Sequence, residues 1–183
     1  CGQLHRNSGY APEAEALERR FDEVFADHGV IVTPSGSCAA HARAHGGASG
    51  ARVRELSELL VDDLGAIELG ARFDGRVTYH PTCHSSRFLE VGDRPTRLLA
   101  AVEGVDLVEL PDAQECCGFG GTFATRNADV STAMLADKLR AVDATGADVV
   151  CACDASCLMH IGGGLERARS RTRALHLAEV LAG

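Results

Sequence analysis

Short apolar segments alternate along the chain with longer stretches in which apolar residues recur every three or four positions. The short segments are rich in β-branched residues and end at turn residues, which predicts buried strands. These strands are predicted at 30–33, 77–79, 107–110 and 149–150. The longer stretches predict helices at 12–28, 53–64, 129–145 and 172–181. Strands that alternate with helices predict an α/β fold with mostly parallel sheets flanked by helices.

Apolar residues at helical spacing predict which helix faces pack inward. The predicted inward residues are Leu17, Phe21 and Val24 in the first helix and Leu135, Leu139 and Val142 in the third. Gly29 and Gly146 follow these two helices and are the expected C-terminal caps.

The chain also repeats itself. Cys1-Gly2 heads the first copy and Cys117-Gly118 heads the second, and a helix and a strand follow in each. Ser37-Cys38-Ala39-Ala40-His41 then matches Ser156-Cys157-Leu158-Met159-His160. This shared order predicts an internal duplication. We place the C-terminal part of a first cysteine-rich repeat at 1–72 and a complete second repeat at 73–183.

The second copy has additional sequence ahead of its Cys-Gly pair, which includes Cys83, His84 and Cys116. Nothing corresponds to this sequence ahead of Cys1. By symmetry, we expect the natural protein to carry a further stretch that ends in a cysteine just before Cys1. In the present sequence, only the second site should then have its full set of ligands.

Composition and charge narrow the function classes. Hydrophobic residues make up 45% and charged residues 24%, which is typical of a globular protein. The net charge of −8, with 26 acidic against 18 basic residues, argues against nucleic acid as the main partner. No apolar run approaches the roughly 20 residues of a membrane span. No Gly-x-Gly-x-x-Gly motif follows a strand and no P-loop is present, so no nucleotide or flavin site is expected.

The eight cysteines carry the strongest chemical signal. Cys83, Cys116, Cys117 and Cys157 follow predicted strands or stand in turns. Ligands of parallel α/β sheets bind beyond the carboxyl ends of the strands, so these residues should converge at one edge. Four thiolates are the usual ligand count of a 4Fe–4S cluster. Gly118 can adopt positive φ and bring backbone N–H groups close to the sulfurs.

Three other interpretations of the cysteines stay open. A disulfide framework needs an oxidising compartment, which no signal in the sequence indicates. A zinc-stabilised binding module without redox activity would usually show two Cys-x₂₋₄-Cys pairs, whereas these cysteines are dispersed. Cys151 and Cys153 fit ordinary buried thiols. Because they lie in or just after a strand, at most one of them should face the site.

The order Cys83, Cys116-Cys117-Gly118, Cys157 resembles the cysteine-rich (CCG) domain. That domain occurs in heterodisulfide reductase, in the iron–sulfur component of glycolate oxidase and in the lactate utilization protein A family. Further stretches are similar to the last family, and the likeness covers essentially the whole chain. These stretches are Cys1-Gly2-Gln3, Ser35-Gly36-Ser37-Cys38, Cys116-Cys117-Gly118-Phe119-Gly120-Gly121 and Cys157-Leu158-Met159-His160-Ile161-Gly162-Gly163-Gly164.

The resemblance implies an iron–sulfur electron-transfer subunit of a cytoplasmic complex that oxidises L-lactate to pyruvate. It also implies companion iron–sulfur and accessory subunits as partners. A subunit that reduces thiol–disulfide substrates, of the heterodisulfide type, is the alternative within the same resemblance. Whether this chain is itself an enzyme stays open.

One position departs from the related pattern, and two histidines lie near the cysteines. The heterodisulfide reductase pattern ends in Cys-x-x-Cys, but Asp154 stands at its first position. Asp154 or Cys153 is therefore a possible auxiliary ligand, although iron in such clusters favours thiolate. His84 and His160 are either hydrogen-bond partners of a cluster or histidines packed at a helix start.

Overall fold

The structure, a computed structural model, describes residues 1–183 and has the α/β architecture that the sequence predicts. Its strands are β1 (Ile31–Thr33), β2 (Val53–Glu55), β3 (Arg72–Tyr79), β4 (Glu103–Val108), β5 (Val149–Ala152) and β6 (Arg173–His176). Its α-helices are α1 (Gln3–Asn7), α2 (Ala11–Val24), α3 (Gly36–His45), α4 (Gly47–Gly50), α5 (Leu56–Glu58), α6 (Cys83–Arg87), α7 (Arg94–Ala100), α8 (Phe123–Arg126), α9 (Ala128–Thr145), α10 (Ala155–Arg167) and α11 (Leu177–Ala182). A π-helical turn, Leu59–Asp63, follows α5.

All strands pair in parallel, in two sheets. β1 pairs with β2, and the larger sheet has the order β4-β3-β5-β6. Side chains alternate between the faces of a strand. Val77 and Tyr79 therefore pack into a core on one face of the larger sheet, whereas Val150 packs on the opposite face with α9 and α10. Because β3, β5 and their neighbours run the same way, their carboxyl ends form one edge.

Two predicted helices begin later than expected, at equivalent positions of the two copies. Residues 53–55 and 173–176 form the strands β2 and β6, and the helices α5 and α11 follow them directly. Helical spacing of leucines concealed both strands because a segment of three or four residues is too short to show alternation. Pairing with β1 and β5 decides their conformation.

The helix predictions are otherwise confirmed in part. In α9, Val142 is fully buried, and Gly146 ends the helix with φ 61°, as predicted. In α2, however, Leu17 and Val24 are exposed, and the buried positions are Ala14 and Glu18. The chain leaves the helical conformation after Val24, so Gly29 is not the cap.

The order strand, helix, strand, helix recurs in both copies, as β1-α3-β2-α5 and β5-α10-β6-α11, with α4 as an insertion in the first. The two copies meet at the ends of β1 and β5. There the N–H of Gly36 donates to the carbonyl of Cys153 at 3.1 Å, and the His176 imidazole contacts the carbonyl of Pro34 at 2.6 Å. A domain boundary near residue 72 stays a prediction. None of the helices has the length and apolar character that a membrane span requires.

Candidate iron–sulfur site

Three neighbouring strands supply the cysteines of the candidate site. Cys83 begins α6 just beyond β3, Cys116 and Cys117 stand in the loop between β4 and α8, and Cys157 lies in the first turn of α10 beyond β5. Since β4, β3 and β5 are adjacent and parallel, their carboxyl ends bring these residues to the same edge. The structure therefore brings together the four cysteines that the sequence grouped.

The thiols of the four cysteines lie near one another. Cys117 Sγ and Cys157 Sγ lie within 4.8 Å of each other, and the Cys116 thiol is close enough to those of Cys83 and Cys117 to raise the pKa of both. All four are free thiols, with Cys117 buried and the others partly exposed. This arrangement places four sulfur donors at one partly open position without a disulfide.

The electrostatics of the four thiols favour a cation between them. The neighbouring thiols of Cys117 and Cys83 lower the pKa of Cys116, whereas the Cys116 thiol raises the pKa of Cys117 and Cys83. Four thiolates this close would repel one another unless a positively charged metal centre neutralised them. The donor set therefore fits a metal or iron–sulfur centre.

Glycine is required at the turn that follows the cysteine pair. Gly118 has φ +89°, and a Cβ there would lie 2.6 Å from the carbonyl oxygen of Ser131. This conformation directs the Gly118 N–H to Cys116 Sγ at 3.4 Å. Gly2 has a similar backbone conformation in the first copy, with φ +92° and a Cβ that would lie 2.9 Å from the carbonyl oxygen of Ala14. Backbone geometry thus explains why a glycine follows the cysteine in both copies.

Cys1 and Cys38, the two cysteines of the first copy that the sequence singled out, lie close together and near His84. Cys1 Sγ and Cys38 Sγ are 3.8 Å apart. The Gln3 side-chain amide contacts both the carbonyl of Ser37, at 3.2 Å, and the imidazole of His84, at 3.1 Å. Because His84 follows Cys83 directly, Gln3 bridges the surroundings of the two cysteine groups.

Cys151 and Cys153 lie on the other face of the sheet. Both are buried in the core that contains Val77 and Tyr79, whereas Cys117 and Cys157 border the opposite core. The Tyr79 hydroxyl donates to Cys153 Sγ at 3.3 Å, and burial raises the pKa of both thiols. Cys153 is therefore positioned as a core residue, and neither thiol faces the four-sulfur group.

Asp154 is engaged in hydrogen bonds that connect two helices. One carboxylate oxygen accepts from the N–H and the hydroxyl of Ser156 at 3.1 and 2.6 Å, and so caps α10. The other accepts from the N–H of Ser37 at 2.8 Å and from the Ser35 hydroxyl at 3.4 Å. Both oxygens are thus occupied in a capping role, which explains an acidic residue here without iron ligation.

His160, the other predicted auxiliary residue, is half-buried near the cysteine turn. Its Nε2 lies 3.4 Å from the hydroxyl of Ser131, which donates to the carbonyl of Gly118 at 2.8 Å. Burial lowers the pKa of His160. This histidine therefore supports the Gly118 turn through Ser131.

Two residues near the sulfurs were missed by sequence reasoning. His80 is fully buried, and one of its ring nitrogens lies within 4.8 Å of both Cys117 Sγ and Cys157 Sγ. Burial lowers the pKa of His80 to about 4. Its position directly after β3, on the face opposite Tyr79, was the available signal.

The second missed residue is Lys138, the only lysine of the chain. It is 1% exposed, and its ammonium donates to the carbonyls of Asp112 and Ala113 at 2.9 and 3.4 Å. Burial lowers the pKa of Lys138, while the nearby Cys117 acts to raise it. A buried cation thus lies beside the thiols. The sequence signal for it was a single lysine among the apolar residues of a predicted helix.

Comparison with known proteins agrees with this geometry. Residues 1–43 and 77–162 match the model of a family described as "Cysteine-rich domain". Lactate utilization protein A of Geobacillus kaustophilus is 41% identical over 99% of this chain and 81% of its own length. The protein of that name in Anoxybacillus flavithermus is 40% identical over 99% and 82%. Lactate utilization protein A 2 of Bacillus cereus is 38% identical over 100% and 81%.

Proposed function

This chain belongs to the cysteine-rich domain family and, within it, to the lactate utilization protein A family, and from that premise we propose that it transfers electrons in L-lactate oxidation. In this proposal it is a subunit of a complex with companion iron–sulfur and accessory subunits. Cys83, Cys116, Cys117 and Cys157 hold a 4Fe–4S cluster, and Cys1 and Cys38 belong to a first site.

The observation that carries the proposal is the convergence of four thiols from three separate loops. Dispersed cysteines that served only as core residues would have no reason to gather at one edge of the sheet. Here Cys117 Sγ and Cys157 Sγ lie within 4.8 Å of each other, and the Cys116 thiol raises the pKa of Cys83 and Cys117. A bound 4Fe–4S cluster supplies one-electron redox chemistry. The family membership connects that chemistry to the utilization of lactate.

The surrounding residues are suited to an anionic centre. The Gly118 N–H already points at Cys116, and Lys138 places a positive charge within the protein near the same loop. Both interactions favour added negative charge at the sulfurs. A cleft of about 620 Å³, lined by Glu115, Cys116 and Lys138 among others, opens beside the cysteine pair. It gives an electron-transfer partner access to the edge of the site.

The proximity of the first site supports transfer between two centres. Gln3 contacts His84, which follows Cys83, and also the carbonyl of Ser37, which precedes Cys38. No separate domain lies between the two cysteine groups. Electrons that reach one centre therefore have a short path through protein to the other.

Anaerobic purification tests the cofactor. We expect a coloured protein with broad visible absorption that bleaches with dithionite, and about four iron atoms per chain in this sequence. The variant Cys116→Ser should lose most of the iron. The matched control is Cys151→Ser, which removes a buried thiol on the other face of the sheet and should keep the iron. A colourless protein loaded with zinc, or equal iron in both variants, would contradict the assignment.

Growth tests the physiological role. A strain without the gene should fail to grow on L-lactate, and the gene with Cys151→Ser should restore growth while the gene with Cys116→Ser should not. Normal growth of the deletion strain on L-lactate would refute the lactate assignment and leave the metal site unaffected.

A further inference from the structure

His80 is the most unusual buried polar residue beside the candidate site. Its side chain is 0% exposed, and neither ring nitrogen has a hydrogen-bond partner. Leaving a buried polar group without a partner is costly, and such groups are rare in folded proteins. An imidazole in this position therefore calls for a partner that the protein without its cofactor lacks.

The strand register aims this imidazole at the sulfurs. The backbone N–H of His80 donates to the carbonyl of Cys151 at 2.8 Å, which continues the pairing of β3 with β5 by one residue. Tyr79 faces the core that holds Cys151 and Cys153, so His80 faces the opposite side. There one of its ring nitrogens, Cys117 Sγ and Cys157 Sγ lie within 4.8 Å of one another.

We propose that His80 donates an N–H hydrogen bond to the thiolate of Cys117 or Cys157 once the iron–sulfur centre is bound, and thereby raises the reduction potential of that centre. The inference rests on the function proposed above. His80 acts here as a positioning residue through the cysteine ligands. Direct ligation fits less well, because an iron of a cubane cluster that binds three sulfides has room for only one protein donor.

The chemistry of sulfur explains why the partner is missing without the centre. A thiol is a weak hydrogen-bond acceptor, whereas a metal-bound cysteine is deprotonated and carries negative charge. Loading the site therefore converts Cys117 and Cys157 into good acceptors beside a buried donor. A hydrogen bond to a ligand sulfur stabilises the more negative, reduced form of the centre, which raises its potential.

This proposal predicts a different measurable effect in each form of the protein. In the cluster-free chain, His80→Leu should raise the urea midpoint of unfolding, because it removes a buried polar group without a partner. In the iron-loaded chain, the same variant should shift the reduction potential to a more negative value. His80→Gln, which keeps an N–H donor, should leave the potential between those of the wild type and the leucine variant.

Thr78→Val is the matched control. Thr78 lies two residues earlier, in β3 and on the same face, is equally buried, and donates to the carbonyl of Val108 at 3.1 Å, away from the cysteines. This variant should keep the wild-type potential.

Should His80→Leu fail to fold, His80→Gln and pulsed EPR of the reduced protein labelled with ¹⁵N-histidine still test the contact. A weak nitrogen coupling that is absent in the glutamine variant supports it.

Three results would overturn the inference. One is a potential of His80→Leu equal to that of the wild type. Another is a strong nitrogen coupling, which would show an iron–nitrogen bond. The third is a lower urea midpoint of the cluster-free leucine variant, which would show that the imidazole has a partner there. Wild-type protein that binds no iron would refute the proposed function itself, which distinguishes that failure from a failure of the His80 assignment.

Discussion

Replacing Asp154 by alanine should strongly destabilise the cluster-free chain, because one carboxylate serves two helices. It caps α10 through the N–H of Ser156, and it accepts from the N–H of Ser37 in the first turn of α3. Asp154 is 2% exposed, so water cannot readily take over these bonds. Loss of an N-cap costs about 1 kcal/mol. A partly buried N–H left without its charged acceptor adds about 1–3 kcal/mol, for a total of roughly 2–4 kcal/mol.

Urea unfolding at pH 7 in reducing buffer, followed by circular dichroism, measures this loss. The matched control is Ser35→Ala, which removes the equivalent cap of α3, a hydroxyl that accepts from the Cys38 N–H at 3.3 Å, and should cost only about 1 kcal/mol. Asp154→Asn should recover little of the lost stability. Both carboxylate oxygens of Asp154 accept from N–H groups, and the amide of asparagine would turn its NH₂ group toward one of those N–H groups. A loss below about 1 kcal/mol for Asp154→Ala would refute the reasoning.

The effect should also depend on pH in a defined direction. Burial acts to raise the pKa of Asp154, but hydrogen bonds from Ser156 and Ser37 outweigh it and hold that pKa below its usual value. A lowered pKa means that the carboxylate stabilises the fold above its unfolded pKa of about 3.9 and loses this contribution as pH falls through the folded value. The difference between wild type and Asp154→Ala should therefore shrink in strong acid.

Two further predictions concern the cysteine turn and a buried acid. Gly118→Ala combines positive φ with a 2.6 Å clash against the Ser131 carbonyl oxygen, so it should destabilise the chain by about 2–4 kcal/mol and reduce iron binding. The control Gly163→Ala lies on the open face of α10 and should stabilise the chain by about 0.5–1 kcal/mol. Equal urea midpoints for these two variants would contradict this prediction. Burial raises the pKa of Glu55, so its stabilising contribution is present below the unfolded pKa of about 4.3 and is lost as pH rises through the folded value. Glu55→Gln should therefore raise the stability at pH 7 more than at pH 4, and unfolding curves that shift equally at both pH values would refute this.

The cysteine pattern and the duplication were readable because they depend on local order along the chain. Cys116-Cys117-Gly118 and the two Ser-Cys-x-x-His stretches recur at matching places, and the strands before them follow from apolar runs bounded by turns. The short strands β2 and β6 were missed because three or four residues carry too little periodicity. Their conformation comes from pairing with β1 and β5, which lie about 20 residues away.

Sequence alone determined the fold class and predicted which cysteines lie at the carboxyl edge of the sheet, because strand and helix periodicity and the parallel-sheet rule act through local order and topology. Only the tertiary structure decided which polar residues surround that site. The register of β3 against β5 turned His80 toward the sulfurs and Cys153 away from them, and the meeting of the two copies gave Asp154 its partner in Ser37. A one-residue change in register reverses the face of every side chain, so no inspection of single positions could have settled those roles.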